Sequence, residues 1–223
     1  YQQSEVKEII IIDDASDDET GNLIKRLQKK YPKVTTRYFR NSEVRGSPFG
    51  KNLGTQKAKY PWILIGEDDA FLEKNYTKSL LAKFEEYPNL GIASGRIIYL
   101  HPGEDPIKAI SRFGFGNPQQ KEVFDFVQFG HIPNAYYVDD IFLPLTHSMI
   151  LCKKEDLKRF PYDTWYSRGN GYREESDFQL NLFVHGKQII STNETHAMHL
   201  SFSDVPMGGH RTPILKQLFC NIF

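Results

Sequence analysis

Four consecutive isoleucines, Ile9 to Ile12, run straight into two aspartates, Asp13 and Asp14. A short β-branched run with no polar alternation suits a strand buried on both faces. Such strands sit in sheets covered by helices, so the chain must supply helices between its strands. The acids then fall at the C-terminal tip of the strand, where open α/β sheets bind ligands.

Residues 16–100 keep that rhythm. Ser16-Asp17-Asp18-Glu19 matches a capping box, and Leu23, Ile24, Leu27 and Tyr31 come next at helical spacing. The pattern predicts a strand over 34–39, a helix over 48–59 and a third strand over 62–65, which ends in Gly66-Glu67-Asp68-Asp69. Asn75 is expected to cap a helix carrying Leu80, Leu81 and Phe84, and a fourth strand is predicted over 92–100. Alternating strands and helices argue for an α/β fold with a mostly parallel sheet flanked by helices. The rhythm fails over 101–135, a long Pro-, Gly- and Gln-containing connection of the kind that is often functional. It resumes with a strand over 146–152, helices over 153–160 and 174–185, and short strands over 188–191 and 197–200. The apolar tail, 213–223, reads as a further helix. A single domain over 1–223 is expected, with 1–100 and 101–212 as its two halves.

Charge narrows the function. The 28 basic and 28 acidic residues cancel, so no global field recruits nucleic acid or an anionic membrane. No stretch approaches the roughly 18 apolar residues of a membrane span. Cys152 and Cys220 lie too far apart for a disulfide framework or a zinc site, which favours a reducing compartment. Aromatic residues make up 13% of the chain and crowd 113–142 and 160–172, where they serve either the core or stacking on a sugar or base.

Chemistry concentrates in the acids. Adjacent carboxylates raise one another's pKa unless a cation or donor intervenes. Glu67-Asp68-Asp69 therefore predicts a divalent ion or a hydroxyl-rich ligand, the alternative being a solvated turn. A second cluster, Asp13-Asp14, on another strand tip of the same sheet favours the ligand, and carboxylate oxygens suit Mg²⁺ or Mn²⁺.

Five segments, in order, carry a resemblance. Ile9-Ile10-Ile11-Ile12-Asp13-Asp14-Ala15-Ser16 resembles the nucleotide-binding segment of family-2 glycosyltransferases. Lys51-Asn52-Leu53-Gly54 resembles that family's Arg-Asn-x-Gly helix. Trp62 to Asp69 is similar to the strand leading into its Asp-x-Asp metal motif. Gly171 to Phe178 is similar to the acidic motif opening the acceptor-side helix, and His199 to the late histidine of the metal site. Gly208-Gly209-His210-Arg211 resembles a Gly-Gly-x-Arg turn of some members.

The resemblance implies a GT-A, Rossmann-like fold and an inverting transfer from a nucleotide-diphosphate sugar, most often a UDP-sugar. The acceptor would be a glycan, a lipid-linked species or a protein. It implies nucleotide contacts at Asp13, Asp14, Lys51, Glu67, Asp68 and Arg211, with Glu67 facing the ribose. Asp69 and His199 become ligands to Mn²⁺ or Mg²⁺, with His196 a competitor to His199. Glu175 aligns with the catalytic base, and Glu174 or Asp177 are the alternatives. Helical spacing puts Glu174 and Asp177 on one face and Glu175 on another. Trp165 and Tyr166 are candidates for stacking on the acceptor.

Family members begin with a strand and helix that this sequence lacks, roughly 30 residues by the size of a βαβ unit, so a fragment is expected. The implied location is cytoplasmic, with peripheral attachment at the inner face of the membrane allowed. Two rival functions remain at this level: a catalytically impaired glycan- or nucleotide-binding relative, and a nucleotidyltransferase.

Overall fold

The computed structural model describes residues 3–167, 173–201 and 203–204. Arg211, the Gly-Gly-x-Arg turn, the 213–223 tail and most of the 168–173 loop lie outside the described residues. In chain order the elements are β1 (Glu8–Asp13), α1 (Thr20–Lys30), β2 (Thr35–Arg40), α2 (Ser47–Lys57), β3 (Trp62–Leu64), β4 (Ala70–Leu72), α3 (Tyr76–Glu86) and β5 (Leu90–Tyr99). Next come α4 (Pro106–Phe113), β6 (Phe124–Asp125), β7 (Gly130–His131), β8 (Ile141–Phe142), β9 (Leu151–Lys153), α5 (Lys154–Arg159), a 3-10 turn (Thr164–Ser167), α6 (Glu174–Val184) and β10 (Gln188–His199).

The helix-flanked α/β architecture is present, and its strands form a mixed arrangement. β1 and β2 pair in parallel as a two-stranded sheet. A six-stranded sheet runs β3-β9-β5-β10-β4, with β8 also on β10. Within it only β5 and β10 are parallel; the other pairings are antiparallel. Among the described residues no strand pairing joins the two sheets, so β1 has β2 on one edge alone. That explains why Ile9 to Ile12, which read as a fully buried run, are only half-buried.

Strand alternation builds the core. Ile92, Ile150, Cys152 and Ile189 face α5 and α6 with Leu157, Phe178 and Leu182. Their sequence neighbours Ala93, Met149, Leu151 and Ile190 face α3 with Tyr76 and Leu80. Successive side chains point to opposite faces of a strand, so each strand feeds both layers.

Several boundaries differ from the sequence reading. Helix α1 starts at Thr20, and Asp18 Oδ1 accepts from the Thr20 amide at 2.9 Å where a Ser16 cap was expected. Asn75 precedes α3 in the left-handed conformation without a side-chain cap. The Gln3 side chain caps that helix, accepting from the Thr77 amide at 2.9 Å. The strand predicted over 146–152 shrinks to Leu151–Lys153, because the Thr146 amide donates to Gln179 instead of to a neighbouring strand. The strands over 188–191 and 197–200 are one strand with a register shift between Ser191 and His196.

The 101–135 connection holds helix α4, whose Asp105 cap accepts from the Ile107 and Lys108 amides ahead of Pro106. Arg96, fully buried, fastens the long loop beyond α4. Its guanidinium donates to the Phe115 carbonyl at 2.6 Å, to those of Ala135 and Tyr137, and to Asn193 Oδ1 at 3.1 Å. It lies over the rings of Phe113 and Tyr137 at 4.9 and 3.9 Å. Gly116, at φ +95°, lets the chain pass here, since a Cβ would collide with the Ala135 carbonyl and with Arg96 itself. Arg96→Ala strands buried carbonyls without donors. It is expected to cost about 3–5 kcal/mol, read from the urea unfolding midpoint.

Candidate active site

Strand register assembles the first cluster. β4 runs antiparallel to β10 with Ala70 opposite His199, and the Leu200 amide donates to the Asp69 carbonyl at 2.9 Å. Asp69 is thereby held beside His199. Glu67 arrives from the end of β3, where the Ile65 amide donates to the Ile150 carbonyl at 2.9 Å. His199 Nε2 lies 3.3 Å from Asp69 Oδ1 and 3.5 Å from Glu67 Oε2. One ligand atom from each of Glu67, Asp69 and His199 falls within 4.8 Å of the other two. His199 Nδ1 bonds the Leu200 carbonyl at 2.9 Å. This orients the ring so that Nε2 faces the carboxylates, the placement a ligating histidine needs. The donor set therefore fits a divalent ion.

Charge is balanced tightly here. Burial works to raise the Glu67 carboxyl, but bonds from His199 and Ser148 and the charge of Lys51 hold it down at about 2. The Glu67 contact raises His199 to about 9 against burial. Burial holds the Asp69 carboxyl above its usual value, with His199 pulling it down and Glu67 and Asp68 pushing it up. Asp68 lies outside the three-residue group. His196, the competing ligand, bonds Glu73 at 2.8 Å instead.

A second cluster joins α2 to α6. Lys51 Nζ lies 2.6 Å from both Glu174 Oε1 and Glu175 Oε1. Ser47 Oγ also donates to Glu174 Oε1, at 2.5 Å. Glu174 is 2% exposed. Burial and the neighbouring Glu175 charge push its carboxyl up to about 7, while Lys51 and Ser47 pull the other way. The Glu175 side chain keeps 25% exposure. Asp177 does not share this site; it lines a separate cavity with Phe129 and Tyr166. The pairing by helical spacing, Glu174 with Asp177, is thus replaced by Glu174 with Glu175, because Lys51 reaches between two adjacent side chains of the first turn.

The first acidic pair holds loops. Asp13, 4% exposed, accepts from the Ser16 amide at 2.8 Å and from the Tyr38 hydroxyl. Asp14 accepts from Asn41 Nδ2 at 2.8 Å and from the amides of Arg45 and Gly46 at 2.8 and 2.7 Å. Gly46 has φ +83°, and a Cβ there would meet the Ser167 carbonyl oxygen at 2.6 Å. Two more residues complete the frame: Ser47, which carried no motif signal, and Asn52 of the Lys51-Asn52-Leu53-Gly54 motif, which exchanges bonds with the Tyr162 backbone at 2.8 and 3.0 Å. Trp165 is half exposed, and its ring meets Tyr166 edge-on at 5.0 Å.

The sequence pattern of Glycosyl transferase family 2 matches residues 1–142. This chain belongs to that family. Poly-β-1,6-N-acetyl-D-glucosamine synthase of Staphylococcus aureus is 29% identical over 91 residues, 41% of this chain and 21% of the relative. The chain thus spans about a fifth of that relative's length. Among solved structures, GalNAc-T7 with UDP, GalNAc and Mn²⁺ superposes with a TM-score of 0.64 at 16% identity, covering 87% of this chain and 38% of the other. Mannosyltransferase PcManGT of Pyrobaculum calidifontis, with GDP-Man and Mn²⁺, gives 0.59 at 16% identity, with 89% and 50% covered. S. aureus TarS with UDP gives 0.58 at 15% identity, with 88% and 53% covered. These likenesses establish the glycosyltransferase GT-A fold. No helix among the described residues is long and apolar enough to cross a membrane.

In this family member the Lys51 contact predicts a clear stability phenotype. Lys51→Met leaves the buried Glu174 and the partly exposed Glu175 without their cation and is expected to cost about 3–5 kcal/mol. Adding Glu174→Gln should return part of that loss, a coupling that a double-mutant cycle in urea would measure.

Proposed function

We propose that the chain is the catalytic domain of a metal-assisted glycosyltransferase that inverts the anomeric centre of a nucleotide-diphosphate sugar. The observation that carries this reading is the convergence of Glu67, Asp69 and His199 within 4.8 Å, close enough to the α2–α6 cluster for Lys51 to act on Glu67. Family membership and the UDP and GDP-Man complexes of its structural neighbours support it.

Glu67, Asp69 and His199 would hold the ion. An imidazole among carboxylates favours Mn²⁺ over Mg²⁺, which prefers all-oxygen sites. When bound, the ion supplies positive charge to the departing diphosphate. This moves Glu67 from the ribose contact suggested by the motif to the ligand set. Asp14, with three donors already on its carboxylate, shapes the 41–46 wall of the nucleotide pocket and keeps acceptor capacity on Oδ2 for the base.

Glu175 is the base. It is the partly exposed carboxylate of the cluster and sits against the Lys51 ammonium. Its carboxylate takes the acceptor hydroxyl's proton as that oxygen attacks the anomeric carbon. The bond from that carbon to the diphosphate oxygen breaks, and the proton ends on Glu175. Glu174, buried under Ser47 and Lys51, positions the first turn of α6. Residues 1–100 would form the nucleotide-sugar half and 101–212 the acceptor half, the acceptor being a glycan, a lipid-linked species or a protein.

Transfer assays with UDP- and GDP-sugars test the assignment. Glu175→Gln is expected to lower turnover by about 10²–10⁴-fold, while Asp177→Asn leaves the chemical step within about tenfold. Near-normal turnover in Glu175→Gln would move the base to Glu174 or Asp177. For the ion, Asp69→Ala should abolish the extra thermal shift that Mn²⁺ adds to UDP or GDP. An unchanged Mn²⁺ dependence would remove Asp69 from the site.

A further inference from the structure

Beyond the transfer site, α6 presents another surface. Ser176, Asp177 and Leu180 recur at i, i+1 and i+4 and so share one side of the helix, with Arg173 just before its first turn. With Val127, Gln128, Phe129 and Tyr166 they line an open cavity of about 250 Å³. That side is distinct from the one on which Glu175 meets Lys51. Successive residues turn about 100° around a helix, which sets Glu175 and Asp177 nearly opposite.

The opposing wall is a rigid turn. Asp125 Oδ1 accepts from the Val127 and Gln128 amides at 2.8 and 2.9 Å. The Arg173 guanidinium donates to the Gln128 and Phe129 carbonyls at 2.5 and 2.9 Å. Buried Phe124 supports the rings of Phe126 and Phe129 edge-on at 5.1 and 5.3 Å. Phe129 and Arg173 both hold positive φ, +49° and +72°, a region that large side chains seldom occupy. The turn thus holds its apolar tip outward: Phe126 is 81% and Val127 96% exposed.

Within the cavity Asp177 is half-buried, and no described residue donates to its carboxylate. Burial and the charge of Asp163 push that carboxyl up. An ionised carboxylate only accepts hydrogen bonds, so this group needs donors from whatever enters. Aromatic rings beside a carboxylate and the Ser176 hydroxyl offer an apolar face and a polar rim together. A pyranose matches this, with C–H groups on its face and hydroxyl donors at its edge. A lipid tail would leave the carboxylate unpaired in an apolar setting, which is unfavourable.

We infer that this cavity is a carbohydrate subsite, in which Phe129 and Tyr166 take the face of a sugar unit of the acceptor and Asp177 accepts from its hydroxyls. The inference rests on the glycosyltransferase reading for its substrate class. Because α6 separates the cavity from Glu175, it holds a unit remote from the reacting hydroxyl and sets acceptor preference.

Calorimetric titration of the full chain with β-1,6- and β-1,4-linked N-acetylglucosamine oligosaccharides and with mannose oligosaccharides tests this. At least one series should bind without nucleotide, and Asp177→Asn and Tyr166→Ala should each weaken it tenfold or more. UDP binding with Mn²⁺ should stay unchanged, which shows that the variants fold. Absence of binding by every sugar, or affinities that neither substitution moves, overturns the subsite. Capture by phosphatidylglycerol vesicles, lost in Phe126→Ser with no sugar bound, also overturns it and assigns the turn to a lipid surface. Sugar binding in a chain that binds no UDP or GDP with Mn²⁺ leaves the subsite standing and rejects the transfer reading.

Discussion

The ammonium of Lys51, set between Glu174 and Glu175, joins two parts of the molecule that no described backbone ladder connects. Among the described residues the β1–β2 pair and the six-stranded sheet share no strand pairing, and helix α2 bridges them. Its Ser47 and Lys51 grip the start of α6, and its Asn52 grips the Tyr162 backbone. At its far end Lys154 reaches the Ala58 carbonyl through its side chain and the Pro61 carbonyl through its amide. A buried cation with two anions is strongly orienting, because any slip leaves charge unpaired in a poorly solvated place. The 41–46 loop, ordered by Asp14, thus reaches the candidate base through one helix turn.

A comparable economy of backbone governs the candidate metal site of Glu67, Asp69 and His199. Its members come from three separate chain segments, yet their placement derives from the pairing of β4 with β10 and of β9 with β3. The antiparallel β4 turns the chain back immediately after the acids, and this sets Asp69 against His199. The two anions and one imidazole then hold one another in a half-closed arrangement that a divalent ion can complete. Lys51 contributes at longer range by holding Glu67 ionised.

Arg96 performs the same kind of task on the other side of β5. Its guanidinium is held through Nη1 and Nη2 by three carbonyls and an asparagine, with two aromatic faces beside it in place of a carboxylate, and Nε is left without an acceptor. Carbonyl lone pairs and ring faces supply the negative potential that a carboxylate would otherwise bring. This fastens the 113–137 excursion to β5, and the β6–β7 turn projects from that fixed base toward α6.

Read alone, the residues establish the layered α/β class, the acids at strand tips and His199 as their companion, because alternation, strand-ending acids and ordered motifs are local or linear signals. They also mark Lys51, Glu174 and Glu175 without saying that these touch. Three-dimensional packing was needed to bring Glu67 to Asp69 and His199, to engage Asp14 with its own loop and to turn Asp177 toward a different cavity. Helix α4 has a local start signal in Asp105-Pro106, but the glycines and prolines around it mask its periodicity. The single bulged β10 was unreadable because its polar middle, Thr192 to Thr195, looks like a loop until Gly95 and Ser94 are seen beside it. Each of these outcomes depends on which strand lies next to which. That choice is made by packing between segments far apart in the chain, where one sequence carries no periodic trace.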